Sequence, residues 1–371
     1  MPSDRKVRVG IIGAGWAGQT HARFYKNVPF VEVVAWADMV PGKAAAQAEQ
    51  SGVPQDKVFL DYKEMLGKVE MDAVSVCTFN KGHREPTIDC LQAGKHILLE
   101  KPMAADLEDA TAIMQAWEKT DRILMVGFQP DFSQEHQAAK QIADSGALGE
   151  IYYSEAVTHR RFGIPGGNFV KKTTAGAGTL VDTGVYAIHT NLWLMGDPKP
   201  VSVTAMTASP LAKAYKGVRQ AFGGTWTAAE FEVEEFAVAF VRFEDGSVMV
   251  VKSSWAAHAD TLGRTFFLGT KGGLALGPLE LFENHRVGEL NFTSQVKGVR
   301  TDDWAESWTL KMQRFAEAVR DGLPSPIDPH GVYLINVVMD GILRSAAEGR
   351  EVQVDASYMP KQEVALSKTG P

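Results

Sequence analysis

The sequence predicts an α/β chain in two parts: an N-terminal doubly wound parallel sheet, followed by an α+β domain on an open, mainly antiparallel sheet. Three observations carry this. Short apolar strands alternate with helical segments through the first third. A glycine-rich turn, Gly13-Ala14-Gly15-Trp16-Ala17-Gly18, joins the first strand directly to the first helix. Hairpin signals take over in the second half. A length of 371 residues fits about two domains at roughly 150 residues each.

Val7 to Ile12 is a buried-strand pattern, and Gln19 to Asn27 behind the glycine turn reads as helix. Val31 to Ala37 is a second strand, ending at Asp38. An Ala-rich helix over 41–51 and a short strand from Lys57 to Phe59 follow. Met71 to Cys77 is the fourth strand, with a helix over 84–93. His96 to Glu100 is the fifth, with a helix over 106–118, and Ile123 to Val126 is the sixth. Strands separated by such helices form βαβ units and hence a parallel sheet. The first domain is therefore placed at 1–126.

The glycine turn has the context that a dinucleotide site requires: strand before, helix after, and an acid at the end of the next strand. Gly13 and Gly15 let the turn close and the backbone approach a pyrophosphate. Gly18 allows helix and strand to pack, and the helix N-terminus, at Trp16 and Ala17, favours the anion. Asp38 lies 38 − 13 = 25 positions past the first glycine. Its carboxylate suits the adenosine ribose hydroxyls and repels a 2′-phosphate, and Met39 and Val40 supply no cation for one. NAD is therefore expected in preference to NADP.

The second domain is placed at 127–371. Tyr152 to Arg160 and Val201 to Ala208 alternate as strands, Glu244-Asp245-Gly246 turns a hairpin, and Gly269 to Gly273 turns another. Two amphipathic helices occupy about 304–349, with Trp308, Met312, Phe315 and Val319 on one face and Ile335, Val338, Ile342 and Ala346 on another. A loose tail is expected after 356. The most informative stretch runs from Gly176 to His189. Asp182 is expected to cap a helix reaching Met195 and stopping at Gly196. At 100° per residue, Asp182, Tyr186, His189 and Trp193 share one narrow arc, while Val185, Ile188, Leu192 and Met195 pack beside it. Lys101 follows the fifth strand directly, where an open parallel sheet presents its ligand.

Composition excludes several classes. At 45% hydrophobic and 22% charged residues, the chain is not a disordered one. Lys+Arg 38 against Asp+Glu 45 gives −7, which offers no electrostatic attraction for nucleic acid or anionic lipid. No apolar run is long enough to span a membrane, and no leader pattern opens the chain. Cys77 and Cys90 make no disulfide framework, so a cytoplasmic setting is expected. The nine histidines show no HExxH, and His258-Ala259-Asp260 alone is too sparse, so no metal is expected.

The glycine turn, Cys77-Thr78-Phe79-Asn80 with His83, Ala93-Gly94-Lys95-His96, Glu100-Lys101-Pro102 and the Gly-rich Asp182 segment occur in that order. Together they resemble the Gfo/Idh/MocA oxidoreductases, named for glucose–fructose oxidoreductase and inositol dehydrogenase, over residues 5–355. The resemblance implies a Rossmann domain joined to a domain whose open sheet commonly mediates oligomerisation, hence a homodimer or homotetramer. It implies that Lys101 is the catalytic lysine and Asp182 the active-site aspartate, and that Thr78, Asn80, His83 and Glu100 join Lys101 around the cofactor. Many members carry His where this sequence has Tyr186. Inositol dehydrogenase-like members carry Asp where it has His189. Phe79 replaces the usual Pro of the Thr-Pro-Asn turn.

The expected activity is NAD-dependent hydride transfer between nicotinamide C4 and a secondary hydroxyl or ketone of a sugar, sugar derivative or polyol. Some relatives instead use bound NAD transiently, with no net redox, and a non-catalytic sensor is the remaining alternative. Tyr186 with Lys101 is the expected proton carrier: a cationic lysine depresses a phenol's pKa from about 10 and stabilises an alkoxide. His189, one turn along, is the next choice, and Asp182 orients substrate or Lys101. Arg160, Arg161 and Asn168 are expected to contact the substrate; Trp193 and Trp255 are candidates for stacking on a sugar ring, although a buried place in the core is the commoner outcome for Trp.

Overall fold

Six short, largely buried strands build the first sheet: β1 (Val7–Ile12), β2 (Val31–Ala37), β3 (Val58–Phe59), β4 (Ala73–Val76), β5 (His96–Leu99) and β6 (Leu124–Val126). The computed structural model describes residues 5–214, 224, 226–285, 290–301 and 303–357. The expected loose tail lies almost wholly outside them. Helices α1 (Trp16–Tyr25), α2 (Lys43–Ser51), α3 (Tyr62–Lys68), α4 (Arg84–Gln92) and α5 (Leu107–Trp117) alternate with the strands. Every pairing is parallel, in the order β3-β2-β1-β4-β5-β6. The order reverses between β1 and β4, the switch point at which such sheets bind ligands. The near-continuous apolar strands follow from this burial on both faces.

The second half contributes α6 (Gln134–Asp144), β7 (Ile151–His159), α7 (Lys172–Ala175), α8 (Val185–Met195), β8 (Pro200–Ala208) and α9 (Pro210–Ala214). Then come β9 (Phe236–Phe243), β10 (Val248–Ser254), β11 (Phe266–Gly269), β12 (Gly273–Ala275), β13 (Glu280–His285), β14 (Leu290–Gln295), α10 (Trp304–Asp321), α11 (Pro329–Glu348) and β15 (Val352–Gln353). The nine strands run β14-β13-β12-β11-β7-β10-β9-β8-β15. All pairs are antiparallel except β7 with β10, so a single parallel pair sits at the centre. The β9–β10 hairpin turns at Gly246, whose φ of 84° suits the residue without a Cβ. Val203, Ala239, Val251 and Ala156 are buried in the core shared with α8 and α11, whereas Met206, Leu268 and Phe282 are exposed on the other face.

The two halves are stitched by the last helices. On α10, Trp308 stacks on Phe24 of α1 at 5.8 Å, and Thr309 accepts from Asn27 at 3.1 Å. On α11, the Tyr333 hydroxyl lies 3.0 Å from Thr111 of α5. The C-terminal helices therefore cover the first sheet's layer as well as the second sheet. Among the described residues no helix is long and apolar enough to cross a membrane.

Candidate active site

Four neighbouring strand ends line up along one edge of the parallel sheet. Asp38 lies just past β2, Gly13 just past β1, Thr78 just past β4, and Lys101 just past β5. Backbone bonds hold them in step: Gly13 N–H donates to Ala37 at 2.8 Å, Cys77 N–H to Ile12 at 2.7 Å, and Glu100 N–H to Val76 at 2.9 Å. Three strand spacings, roughly 14 Å, separate the first of these ends from the last. Asp38 accepts from Ala14 N–H and Val40 N–H, both at 2.8 Å, which fixes its carboxylate beside the glycine turn.

The turn has the shape of a backbone cradle. Gly13 has φ 97°, and a Cβ there would stand 2.4 Å from the Cys77 carbonyl oxygen. A Cβ on Gly18 would stand 2.0 Å from the Gly13 carbonyl oxygen, so that glycine is what allows α1 to pack on β1. At Gly15 a Cβ would meet nothing within 4 Å: the bare backbone there faces open space at the start of α1. A closed turn, an open helix N-terminus and an acid on the adjacent strand fit the pyrophosphate and ribose of a dinucleotide. Trp16, the first residue of α1, is exposed, its ring edge-on to Trp308 at 6.2 Å. Thr78 Oγ1 donates to Gly82 at 2.8 Å, and Asn80 Nδ2 to Ala175 at 3.0 Å, tying the β4 loop to α7.

Lys101 reaches from the β5 end to the segment that carries Asp182. Its Nζ donates to the Asp182 backbone carbonyl at 2.8 Å, lies 3.7 Å from Asp182 Oδ1, and stands 4.7 Å from the centroid of the Tyr186 ring. The peptide between Lys101 and Pro102 is cis. Asp182 Oδ2 accepts from Trp255 Nε1 at 2.8 Å and from Arg160 Nη1 at 3.3 Å. Asp182 does not cap the helix as the sequence suggested. It lies inside a π-helical turn, Leu180–Gly184, that runs straight into α8. Such wide turns leave carbonyls free of the regular ladder and recur at functional sites. Capping falls instead to Glu234, whose buried carboxylate accepts from Gly178 N–H at 2.8 Å and Leu180 N–H at 3.1 Å. A Cβ on Gly178 would stand 1.9 Å from the Glu234 carbonyl oxygen, so only glycine fits there.

The electrostatics reverse one expectation. Burial pushes the Tyr186 phenol above its ordinary range, and the neighbouring Lys101 charge only partly offsets it. Lys101 also lies above its ordinary value: burial opposes its charge, but Tyr186, Asp182 and Glu100 together favour it. The resting pair is thus a neutral phenol beside an ammonium. Dehydration of the phenolate outweighs the attraction of one lysine.

The other candidate residues lie in varied surroundings. His189 is buried with Nε2 2.7 Å from Asp131 Oδ2, and its ring stacks on Phe128 at 4.0 Å. Phe128 also meets Tyr186 edge-on at 6.0 Å, so apolar packing, rather than an open polar arc, flanks the imidazole. His83 is buried with its ring nitrogens 2.9 Å and 3.2 Å from the carbonyl oxygens of Pro102 and Thr78, so it braces the Lys101–Pro102 turn. Glu100 points into the interior, where it meets His21 and Lys311. Arg161 pairs with Asp260 at the surface. Asn168 is exposed, and its carbonyl accepts from Thr174 at 2.6 Å. Trp193 packs beside His189 and under Lys140, and Trp255 is fully buried, so neither indole offers a free face to a sugar.

Sequence reasoning missed Asp131, Glu234 and Lys311, and it did not pair Trp255 with Asp182. Each makes its contact across 54 or more positions, so no local spacing announced it. The only signal was for Trp255, which directly follows β10 and therefore emerges at a strand end.

Residues 7–128 match the profile described as oxidoreductase family, NAD-binding Rossmann fold, and residues 136–275 match the GFO/IDH/MocA C-terminal domain. The D-glucoside 3-dehydrogenase of Escherichia coli (strain K12) is 31% identical over 355 residues, covering 94% of this chain and 97% of the relative. The scyllo-inositol 2-dehydrogenase (NAD(+)) of Bacillus subtilis (strain 168) is 26% identical over 329 residues, covering 86% and 88%. Among solved structures, a levoglucosan dehydrogenase in complex with NADH superposes with a TM-score of 0.78, at 21% identity over 95% of this chain and 100% of that one. That last likeness is one of fold.

Proposed function

The chain belongs to the Gfo/Idh/MocA family of oxidoreductases with an NAD-binding Rossmann fold, and from that premise we propose that it oxidises a secondary ring hydroxyl of a neutral glycoside or polyol with NAD+. The observation that carries this reading is the meeting of Lys101, Asp182 and Tyr186 past the carboxyl end of β5, on the strand-end row that begins at Asp38 and Gly13.

Bound NAD+ supplies the hydride acceptor at nicotinamide C4. Gly13 and Gly15 would hold its pyrophosphate side, with Gly18 packing α1 onto β1, and Asp38 would hold its ribose. The Lys101 ammonium donates to the substrate oxygen and stabilises the developing alkoxide. Once the Tyr186–Lys101 pair, which titrates as a unit, has lost one of its own protons, it accepts the hydroxyl proton. Asp182, held by Trp255 and Arg160, orients Lys101 and the neighbouring substrate hydroxyls. The alcohol carbon loses a hydride and its oxygen a proton, leaving a ketone.

The ligand class is argued from charge. Arg160 places its guanidinium on Asp182, and Lys101 serves the reacting oxygen, so neither cation is left over for a substrate carboxylate. A neutral ring with several hydroxyls suits this arrangement better than a sugar acid. The most similar of the relatives described above acts on D-glucosides by its name. The exposed side chains Met206, Leu268 and Phe282 on the open sheet face support assembly as a homodimer or homotetramer. A panel of glucosides, free sugars, inositols and sugar acids, each with NAD+ and read by NADH absorbance, tests the reading. NADH formation confined to sugar acids would overturn it.

A further inference from the structure

The site rests on a buried charge cluster that its chemistry does not use directly. Lys311 on α10 is fully buried, a rare place for a lysine. Its Nζ lies 3.0 Å from Glu100 Oε1, 3.4 Å from the Gly127 carbonyl oxygen, 3.5 Å from His21 Nε2 and 3.7 Å from the Trp308 ring centroid. The same Glu100 oxygen lies 2.7 Å from His21 Nε2. Gly127 makes room for the pair: a Cβ there would stand 2.9 Å from Lys311 Nζ and 3.2 Å from Glu100 Oε1. Glu100 is joined by one peptide bond to Lys101, whose Nζ reaches the Asp182 carbonyl.

We propose that Lys311 is a positioning residue for Lys101: by neutralising the Glu100 carboxylate, it fixes the end of β5 and balances the charge felt at the Lys101–Tyr186 pair. This rests on the reading above, in which Lys101 touches the reacting oxygen. A buried ion pair is weak as a source of stability, since apolar residues of similar size commonly serve as well. Its value here is geometric, because it ties a helix 211 positions away to the residue beside Lys101.

The groups that face the cluster are His21 from α1, Cys77 past β4, Glu100 and Lys101 past β5, and Tyr186 from α8. Burial, and then the Lys311 charge, pull the His21 imidazole down to about 4, so at neutral pH it is uncharged and donates Nε2–H to Glu100. Burial holds the Cys77 thiol protonated. Burial pulls Lys311 itself below its ordinary value and Glu100 opposes that loss, so Lys311 is the direct counter-ion of Glu100 among these groups. Glu100 favours the protonated forms of both Lys101 and Tyr186. Without the Lys311 charge, that pull is unopposed, and both groups hold their protons to higher pH.

The test compares the full-length wild type with Lys311→Met, Glu100→Gln and the double variant, using NAD+ and a neutral glucoside turned over by the wild type. Lys311→Met is expected to lower kcat on the order of 100-fold, the scale of roughly 1 Å of misplacement, with the KM for NAD+ near wild type. Its alkaline limb in the pH–kcat profile moves upward. Adding Lys311→Met to Glu100→Gln is expected to cause no further loss of kcat and no shift of that limb, because the unopposed carboxylate is gone. Wild-type kcat and limb in Lys311→Met, or an equal loss in both backgrounds, overturns the proposal. If Lys311→Met does not fold, the double variant decides it against Glu100→Gln alone: equality supports the proposal, a further large loss overturns it. Lys101→Met, run alongside, keeps the two readings apart. Retained turnover there defeats the role given to Lys101, whereas retained turnover in Lys311→Met alone defeats only this inference.

Discussion

The Lys101 ammonium stands 4.7 Å from the centroid of the Tyr186 ring, with its Nζ anchored on the Asp182 carbonyl oxygen at 2.8 Å. One cation thus faces the phenol and the aspartate at once. It approaches from the parallel sheet, while both partners come from the segment leading into and along α8.

Replacing Lys101 with Met removes the donor to the developing alkoxide. Turnover should fall about 100- to 1000-fold. NAD+ affinity, followed by quenching of intrinsic fluorescence, should stay near wild type, because the glycine turn and Asp38 are untouched. Loss of NAD+ binding in step with turnover would point to collapse of the site instead.

Tyr186→Phe and His189→Asn separate the two candidate proton carriers. Tyr186→Phe should lower kcat about 100- to 10,000-fold with little change in melting temperature. His189→Asn should instead destabilise the fold by about 1–3 kcal/mol, because Asp131 loses a buried partner at 2.7 Å. Thermal melts together with turnover check both. Abolished turnover in a fully stable His189→Asn would move the proton to the imidazole.

The pH dependence has a definite sign. Burial raises Tyr186, and its partners raise Lys101, so the pair binds its proton more tightly than the free groups do. Alcohol oxidation needs the deprotonated pair, so kcat should climb with pH across the alkaline range. Ketone reduction needs the protonated pair and should fall there. A limb near the ordinary imidazole value of about 6.5 would argue for a histidine instead.

Trp255→Phe removes the indole N–H that donates to Asp182 Oδ2 at 2.8 Å. Leaving that buried oxygen short of a donor should cost about 1–3 kcal/mol in a denaturant melt. It should also lower kcat, because Asp182 helps to orient Lys101. A silent Trp255→Phe would mean that Arg160 alone holds the carboxylate.

Asp38→Ser removes the charge that opposes a 2′-phosphate. The ratio of kcat/KM with NAD+ to that with NADP+ should fall roughly tenfold or more. An unchanged ratio would place the discrimination elsewhere in the cleft.

Much of the first half is legible from sequence for a local reason. Parallel strands buried on both faces must be apolar runs, and the turn at Gly13 to Gly18 admits only glycine where a Cβ would meet a carbonyl oxygen at 2.0–2.4 Å. Lys101 and Asp182 were also legible, from the motifs around them. Their supports were not. Trp255 reaches Asp182 across 73 positions, and Glu234 reaches Gly178 across 56. Asp182 read as a cap because the true cap arrives from that distance. The direction of the Tyr186 shift turns on burial, which helical spacing cannot supply: an arc of polar side chains has the same periodicity whether it faces water or Phe128.

The central claim is hydride transfer from a ring carbon to the cofactor. It is tested most directly with a neutral glucoside deuterated at its ring C–H positions, incubated with NAD+ and the full-length protein. The account predicts that deuterium from one ring carbon appears at nicotinamide C4 in an equal amount of ketosugar and NADH. Deuterium retained in the sugar, or released to water without labelled NADH, would contradict it.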